Sequence, residues 1–194
     1  MANISDVGIA NIALGLLGVK PITSFGDDSK AAQLLTNQYE ALRDATLEDR
    51  EWSFAIKRYI FDSAVEASPV FGYTYAFNLP ADVLRVVAMP ISDDDNAPGI
   101  DSWVVEGRQI LCNEDYIRVR AIIRVETVTD FSPSFVQAFA YRIAHQLCVP
   151  LTENIKHFAE LEKEYDKRIS EAAATNGMQG KSQVLRSTNL TRVR

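Results

Sequence analysis

Cysteine and histidine are scarce in this chain. Two cysteines, Cys112 and Cys148, and two histidines, His145 and His157, occur in 194 residues. Two cysteines cannot build the disulfide framework of a small secreted domain, and both stand in apolar stretches, where a thiol normally acts as a small core side chain. The spacing His145-x-x-Cys148 begins a zinc motif, but no second close pair completes the four ligands of a structural site. We therefore expect neither a disulfide framework nor a metal centre.

The short motifs of common catalytic sites are also missing. No glycine-rich phosphate loop follows a predicted strand, so the sequence does not indicate nucleotide binding. No nucleophile elbow pairs a serine with a histidine, and no two carboxylates stand in a recognisable hydrolase context. The run Asp93-Asp94-Asp95-Asn96 lacks the alternating spacing and final glutamate of a calcium loop, and it predicts a solvated turn. We expect a protein that is not an enzyme and carries no cofactor.

No hydrophobic run is long enough to cross a membrane. The longest apolar segment, residues 7–19, is interrupted by Asn11 and is shorter than the ~20 residues that a span requires. The first charged side chain is Asp6, so the N-terminus lacks the basic opening of a secretory signal. We expect assembly in the cytoplasm and no membrane contact.

Charge is unevenly distributed along the chain. The net charge is −6, from 20 basic and 26 acidic residues. Residues 181–194 carry four basic residues and no acidic one, which leaves 16 basic and 26 acidic residues, or −10, in residues 1–180. An acidic body argues against wrapping duplex DNA, since phosphate neutralisation by Lys and Arg supplies most of that binding energy.

Hydrophobic periodicity predicts two helices before residue 57. Asn3 or Ser5 caps the first, which Gly18 and Pro21 stop. The second follows residues 27–29 and runs to about Asp49, and the two should pack as an antiparallel hairpin. The expected buried residues are Ile9, Ile12, Ala13 and Leu16 in the first helix, and Ala31, Leu34, Leu35, Tyr39 and Leu42 in the second.

Two more helices are predicted near the C-terminus. The third begins at Ser132-Pro133 and ends at Pro150, because proline is favoured in a first turn and disfavoured further inside a helix. Thr152 caps the fourth, and Asn176-Gly177 closes it. Their expected buried residues are Val136, Phe139, Ala140, Ile143 and Leu147, then Ile155, Phe158, Leu161, Tyr165 and Ile169.

Between these helix pairs the pattern favours strands. Residues 58–64, 84–89, 103–105, 109–111 and 116–125 are predicted as strands, with a hairpin turn at Glu106-Gly107-Arg108. In the last strand apolar residues alternate with Arg118, Arg120 and Arg124, which predicts an antiparallel sheet with a mostly basic face. That face could meet phosphate or an acidic partner, or it could simply be solvated.

The sequence therefore predicts an α+β fold. Residues 1–57 and 130–177 form an antiparallel helical bundle, residues 58–129 form an inserted antiparallel β domain, and residues 178–194 form an extended C-terminal arm. The arm carries spaced basic and aliphatic residues without helical or strand periodicity, so it is either a frayed end or a segment that orders on a partner. The candidate interface residues are Lys181, Val184, Leu185, Arg186, Leu190, Arg192 and Arg194.

Two sequence elements stand where the helical segment meets the β segment. The first is Trp52-Ser53-Phe54-Ala55-Ile56-Lys57-Arg58, and the second is Gly72-Tyr73-Thr74-Tyr75-Ala76-Phe77-Asn78-Leu79-Pro80-Ala81-Asp82-Val83-Leu84-Arg85-Val86. Trp52 and Phe54 are expected in the core, with a role as interface anchors as the alternative. The order of the two elements resembles that of the tail tubular protein A family, the adaptor or gatekeeper proteins of short-tailed bacteriophages. Residues 14–24 and the C-terminal helices extend the resemblance over most of the chain.

The resemblance implies a structural role in a virion. Members of that family form a ring, typically of twelve subunits, below the portal, where they extend the DNA channel, help retain the genome and dock the tail nozzle. The implied partners are the portal protein, the nozzle protein and neighbouring subunits, and DNA passes through without specific recognition. Two alternatives remain, namely a DNA-binding module that uses the basic sheet face and an enzyme such as a cell-wall hydrolase.

Overall fold

The structure is a computed structural model that describes residues 4–65, 69–93 and 98–177. Within these ranges the chain adopts an α+β fold, which confirms the predicted fold class. The helices are α1 (Asp6–Leu16), α2 (Lys30–Asp49), α3 (Pro133–Thr152) and α4 (Ile155–Gly177). The strands are β1 (Ile56–Phe61), β2 (Tyr75–Asn78), β3 (Val83–Ala88), β4 (Trp103–Glu106), β5 (Gln109–Cys112) and β6 (Ile117–Ile123).

Serine side chains cap the first three helices. Ser5, Ser29 and Ser132 each accept a hydrogen bond from the backbone N–H three residues further on, at 3.1, 3.1 and 3.3 Å. These bonds satisfy N–H groups that the first turn of a helix leaves without a partner. The predicted starts of α2 and α3 are confirmed, and Ser5 caps α1, whereas Asn3 lies outside the described residues.

The prediction that Pro150 ends α3 is wrong. The helix continues to Thr152 and closes at Glu153, whose left-handed backbone (φ 55°) lets its N–H bond to the Val149 carbonyl at 3.0 Å. Proline at position 150 removes one backbone hydrogen bond, but only two residues of α3 follow it, so the body of the helix before it is not interrupted. Nearby, Lys30 Nζ donates to the Pro150 carbonyl at 2.5 Å.

The predicted cap of α4 is also wrong. Asn154, rather than Thr152, accepts from the N–H of His157 at 3.1 Å. The Thr152 hydroxyl instead donates to the carbonyl of Cys148, one turn back in α3, at 2.7 Å. Because α3 runs two residues beyond Pro150, Thr152 still belongs to α3 and cannot begin α4.

Helix α3 is the centre of the helical body. Helices α1, α2 and α4 each pack against it, and the close pairing predicted between α1 and α2 is not seen. The cause lies in α3 itself, which is buried on most of its circumference and so needs neighbours on several sides. Its buried residues are Phe135, Val136, Ala138, Phe139, Ala140, Ile143, Ala144, Leu147 and Cys148, which include every predicted core position of this helix.

Two predicted core residues of the other helices lie at the surface. Ile12 is 37% exposed, and the buried face of α1 is formed by Ile9, Ala10, Ala13 and Leu14. Because α1 is apolar almost all round, periodicity alone did not identify its inner face. Ile155 is 74% exposed, and it is the first residue of α4, directly after the turn that follows α3. The remaining predicted core positions of the helices are buried or half-buried.

The strands form two three-stranded antiparallel sheets rather than one, with orders β1-β6-β3 and β2-β5-β4. The predicted β4–β5 hairpin is confirmed. Its two turn residues, Gly107 and Arg108, have φ of 53° and 66°, which is the type I′ geometry that matches strand twist. The two sheets share one hydrophobic core that contains Phe77, Ile110, Cys112, Ile117 and Val119.

A second, larger core lies within the helical body. It includes most of the buried helix residues together with Trp52, Ala55 and Ile122, so β6 ends against the helices. Strands β3 and β6 lie beside α2. We call residues 56–123 the β unit and the four helices the helical body. None of the helices in the described ranges is long and apolar enough to cross a membrane.

Candidate functional site

The two sequence elements, residues 52–58 and 72–86, meet where the helical body joins the β unit. We call this region the joint. Trp52 is only 1% exposed, and its Nε1 donates to the carbonyl of Thr46 at 2.9 Å. That carbonyl lies in the last turn of α2, where carbonyls lack a partner within the helix. The indole also meets the ring of Phe135 edge to face at 5.0 Å between centroids. Trp52 is therefore a core residue, as predicted, and it fixes the direction in which the chain leaves α2.

Phe54 holds the outgoing and returning chains together. Its ring lies 5.2 Å from that of Phe135 and 5.8 Å from that of Phe131, and the last two rings are 4.7 Å apart. Phe54 precedes β1, Phe131 follows β6, and Phe135 stands in the first turn of α3. An aromatic cluster of this kind stabilises the joint through burial and favourable ring geometry.

The second element places Asp82 on the other side of the joint. Its carboxylate accepts from the Tyr59 hydroxyl at 3.2 Å and lies 3.5 Å from Lys57 Nζ. Hydrogen bonding to Tyr59 and the charge of Asp82 raise the pKa of Lys57, while burial raises the pKa of Tyr59. The Asp82 carbonyl accepts from the N–H of Arg124 at 2.7 Å. These bonds connect the loop before β3 to β1 and to the end of β6.

Two of the three arginines, Arg120 in β6 and Arg124 directly after it, connect this strand to Glu51, just beyond α2, and to Asp44 within α2. Arg124 Nε donates to Asp44 Oδ2 at 2.6 Å, and Arg43 Nη2 lies 3.0 Å from Asp44 Oδ1. The bond and the charge of Asp44 raise the pKa of Arg124. Arg120 Nη2 lies 3.8 Å from Glu51 Oε2. The predicted basic face is therefore largely matched by carboxylates of the helical segment.

The third arginine is paired within the β unit. Arg118 Nε donates to Asp93 Oδ1 at 2.6 Å, and its guanidinium lies 4.7 Å from the centre of the Tyr116 ring. Each of Arg118, Arg120 and Arg124 thus has a carboxylate beside it. Alternation along β6 predicted which face these arginines share, but it contained no signal for the carboxylates that approach from other elements.

A polar cluster that sequence analysis missed joins three helices. Tyr165 donates to Asp49 Oδ2 at 2.5 Å, and Arg142 bonds both to that oxygen and, at 2.8 Å, to the Tyr165 hydroxyl. Burial and the carboxylate raise the pKa of Tyr165. The cluster connects the end of α2 to α3 and α4. Its hydrogen bonds therefore hold together the part of the helical body from which the chain enters the joint.

The histidines and cysteines lie apart from the joint. The His145 ring stacks on Phe158 at 4.0 Å, and His157 Nε2 lies 3.1 Å from the carbonyl of Leu16. Cys112 and Cys148 are buried, and burial raises the pKa of the Cys112 thiol. Among the described residues, no group of three or more His, Cys, Asp or Glu side chains is placed to hold a metal ion.

The predicted C-terminal interface cannot be compared with the structure. All of its residues, Lys181, Val184, Leu185, Arg186, Leu190, Arg192 and Arg194, lie outside the described ranges. The described site is therefore the joint. Its side chains position the helical body relative to the β unit, and they bond chiefly to one another.

Comparison with known proteins adds no family to this description. No model of a known protein family matches the chain, and no curated protein matches it either.

Proposed function

We propose that this protein is a head-to-tail adaptor of a short-tailed phage, a structural ring subunit below the portal. The proposal rests on the order of the two sequence elements, and the observation that carries it is that both elements build one joint. Trp52 and Phe54 of the first pack into the helical core, and Asp82 of the second bonds to β1 and to the residue after β6. Residues that set the angle between two units are suited to a subunit that must fit its neighbours at a fixed angle.

The electrostatics of the sheet favour a channel subunit over a DNA-binding module. Duplex binding needs basic side chains that can replace the counterions of phosphates. Arg118, Arg120 and Arg124 already lie beside Asp93, Glu51 and Asp44, so DNA would have to compete with these carboxylates. A body of net charge −10 up to residue 180 also lets DNA slide past without being held.

In this proposal the ring, typically of twelve subunits, extends the DNA channel and docks the tail nozzle. Its partners are the portal protein, the nozzle protein and neighbouring subunits, and it is located at the head–tail interface of the virion. The arm, residues 178–194, supplies contacts to the portal or to the next subunit. Its positive charge speeds the encounter, and its aliphatic residues supply most of the affinity.

Deletion of residues 181–194 tests the role of the arm. We expect the truncated protein to keep its melting temperature within about 2 °C, since the sequence of the segment has no core periodicity and chain ends commonly contribute little to stability. We also expect it to be lost from portal particles that retain the full-length protein on co-sedimentation.

Substitutions within the arm separate charge from apolar contact. Replacement of the three arginines with serine should weaken attachment to the portal in a salt-dependent way; these are Arg186, Arg192 and Arg194. Replacement of Val184, Leu185 and Leu190 with serine should weaken attachment at any salt concentration. Normal attachment of the truncated protein, or its unfolding, would show that the arm does not have this role.

A further inference from the structure

Strand β4 is an edge of the sheet β2-β5-β4. Hydrogen-bonded and non-hydrogen-bonded pairs alternate along an antiparallel ladder, and in a hairpin with a two-residue turn the pair next to the turn is hydrogen-bonded. Val104 and Glu106 therefore bond to β5, whereas the backbone N–H and C=O groups of Trp103 and Val105 point away from it. In the described part of the chain these outward groups have no hydrogen-bond partner. An edge of this kind can accept a further strand.

Val105 shows that the core beneath this edge is incompletely covered. It lies opposite Ile110, which is 0% exposed and belongs to the core that the two sheets share, so Val105 is on the core-facing side of the hairpin. Val105 is nevertheless 42% exposed, since no strand lies beyond β4 among the described residues. A further strand would bond to the outward backbone groups and would cover this side chain.

Four carboxylates surround this edge. Glu106 is the last residue of β4, and Asp101 lies two residues before the strand begins. Glu114 and Asp115 follow the end of β5, which lies beside the start of β4. All four residues are exposed, and none of them forms a salt bridge within the described ranges. The edge therefore attracts a basic segment.

The other three strand edges suit a basic segment less well. On the outer side of β2, the N–H of Val65 already donates to the carbonyl of Ala76 at 2.8 Å. Strand β3 lies beside α2. Strand β1 carries Lys57 and Arg58, whose positive charges would repel such a segment. Strand β4 is consequently the edge at which both charge and unbonded backbone groups favour a basic strand.

The C-terminal arm, residues 178–194, has the charge and composition that this edge requires. Residues 181–194 carry four basic side chains and no acidic one. They also include residues that favour extended structure, namely Val184, Thr188, Thr191 and Val193. Strand addition uses backbone groups for most of its bonds, so it does not need a long alternating pattern in the added segment.

The start of the arm and the near end of β4 both lie by the joint. Helix α4 runs antiparallel to α3, and it therefore ends beside the first turn of α3. The contacts that show this direction are His145 with Phe158 and Tyr141 with Arg168. In the β4–β5 turn, Arg108 donates to the carbonyl of Pro80 at 2.6 Å, two residues before Asp82. The 17 residues of the arm extend to about 56 Å at about 3.3 Å per residue, so the arm can reach β4 of its own chain.

We propose that the arm of this protein docks along β4 of its own chain as an added strand. The outward groups of Trp103 and Val105 bond to its backbone, and the four carboxylates attract its basic side chains. A segment of the same chain meets the edge at an effective concentration of the order of millimolar, which exceeds that of other copies in a micromolar solution. The contact goes beyond the proposed function, since it engages in the free protein the same arm that is proposed to bind the portal.

The contact is weak enough for a partner to displace the arm, because ordering the arm offsets much of what docking gains. Docking about two times in three stabilises the folded protein threefold, which is about 0.6 kcal/mol by RT ln(1 + K). For a chain of this length that is less than about 2 °C in melting temperature. The small effect expected from deletion of residues 181–194 is therefore consistent with docking.

Disulfide formation within single chains tests the contact in the full-length protein. The two native cysteines are buried, so new ones are introduced as Val104→Cys in β4 and as Leu190→Cys or Thr191→Cys in the arm. The two arm positions project from opposite faces of an extended segment and so cover both registers. In a micromolar solution under mild oxidation, at least one of the two pairs should form a disulfide within the chain. It should form at least tenfold faster than the same arm cysteine does with Ile155→Cys, an exposed position at the far end of α4.

A proline at the edge separates strand addition from chance encounter. Val105→Pro removes an N–H that points away from β5, so the β4–β5 hairpin should keep its own hydrogen bonds. We expect this change to slow the Val104→Cys cross-link at least fivefold and to leave the far-ultraviolet circular dichroism spectrum unchanged.

Charge variants supply a second measurement that leaves the backbone intact. Asp101→Asn with Glu106→Gln should slow the cross-link about threefold at low salt, and the difference should vanish near about 0.5 M salt. The matched control is Glu162→Gln with Asp166→Asn, two exposed positions on α4, and it should leave the rate unchanged.

Three results would overturn the proposal. They are a cross-link no faster than that of Ile155→Cys, disulfides that form only between chains, and equal rates with and without Val105→Pro in a folded protein. If Val105→Pro prevents folding, the charge variants decide in its place, and equal rates for the Asp101/Glu106 pair and its control overturn the proposal.

Attachment to portal particles keeps this proposal separate from the proposed function. If the wild type attaches to the portal but the cysteine variants form no cross-link in solution, the docking of the arm alone is overturned. If the cross-link forms as expected but neither these variants nor the wild type ever attach to the portal, the docking is supported and the adaptor function is contradicted.

Discussion

At the scale of single residues, the joint depends on Trp52. Its indole satisfies a helix-end carbonyl and packs against Phe135. Trp52→Phe keeps most of the apolar contact but leaves the Thr46 carbonyl without its partner, so we expect the free energy of unfolding to fall by about 1–2 kcal/mol. Urea denaturation followed by circular dichroism measures this change. Trp103→Phe, at a half-buried position on β4, is the control and should cost less; equal losses would contradict this role for Trp52.

Two glycines should respond to alanine in opposite directions. Gly15 lies in a helix with open space around its Cα, so Gly15→Ala should raise the free energy of unfolding by about 0.5–1 kcal/mol. Gly107 has φ of 53° in the β4–β5 turn, where a Cβ atom is strained, so Gly107→Ala should lower it by about 1 kcal/mol or more. Thermal unfolding of both variants at low protein concentration, where copies do not associate, decides the point. A stabilising Gly107→Ala would contradict the assigned turn.

At the scale of elements, the loop before α2 is held by Asp27. Its carboxylate accepts from the Thr23 N–H at 2.7 Å and from the hydroxyls of Thr23 and Ser24, and these bonds lower the pKa of Asp27 from 3.8 to about 2. A carboxylate whose pKa is lower in the folded state contributes stability above the unfolded pKa and loses it as pH falls through the folded value. The melting temperature of Asp27→Asn should therefore lie below that of the wild type by a constant amount above about pH 5. The difference should shrink between about pH 4 and pH 2, and a difference that is independent of pH would contradict the assigned bonds.

The attachment of the β unit to α2 predicts a measurable coupling. A double-mutant cycle with Arg124→Gln and Asp44→Asn should give an interaction free energy of about 0.5–1 kcal/mol, since both side chains are partly shielded from water. The matched cycle at Arg118 and Asp93 should give less, because the Asp93 side chain is 88% exposed. The first coupling should decrease at high salt. Equal couplings in the two cycles would show that Arg124 does not hold the joint.

The elements also show how far sequence reasoning reaches. Local signals identified the caps of α2 and α3 and the turn at Gly107, because capping and turn geometry depend on a few neighbouring residues. The same local reasoning failed at Pro150, where a helix tolerates a proline in its last turn. The division into two sheets and the central place of α3 depend on pairings between distant segments, for which the sequence offers no local signal.

The candidate site was predictable in part. Burial of Trp52 followed from its aromatic character and its place after a helix. The pairing of Arg124 with Asp44 joins residues 80 positions apart, and that of Arg142 with Asp49 joins residues 93 apart. Alternation and periodicity place such side chains on a face, but they do not identify the partner on another element.

At the scale of the whole molecule, the proposed function is that of a subunit that assembles on the portal. A net charge of −6 opposes association of free copies, so the purified protein should be monomeric or weakly associated at micromolar concentration. Sedimentation velocity at about 1–10 μM checks this. Tight rings in the absence of portal at those concentrations would contradict it.

Electron microscopy of portal particles incubated with the full-length protein tests the central claim most directly. We predict class averages in which a ring of this chain lies coaxially below the portal, with the channel continuing through it. Portal particles that remain bare in the presence of excess folded protein would contradict the adaptor function.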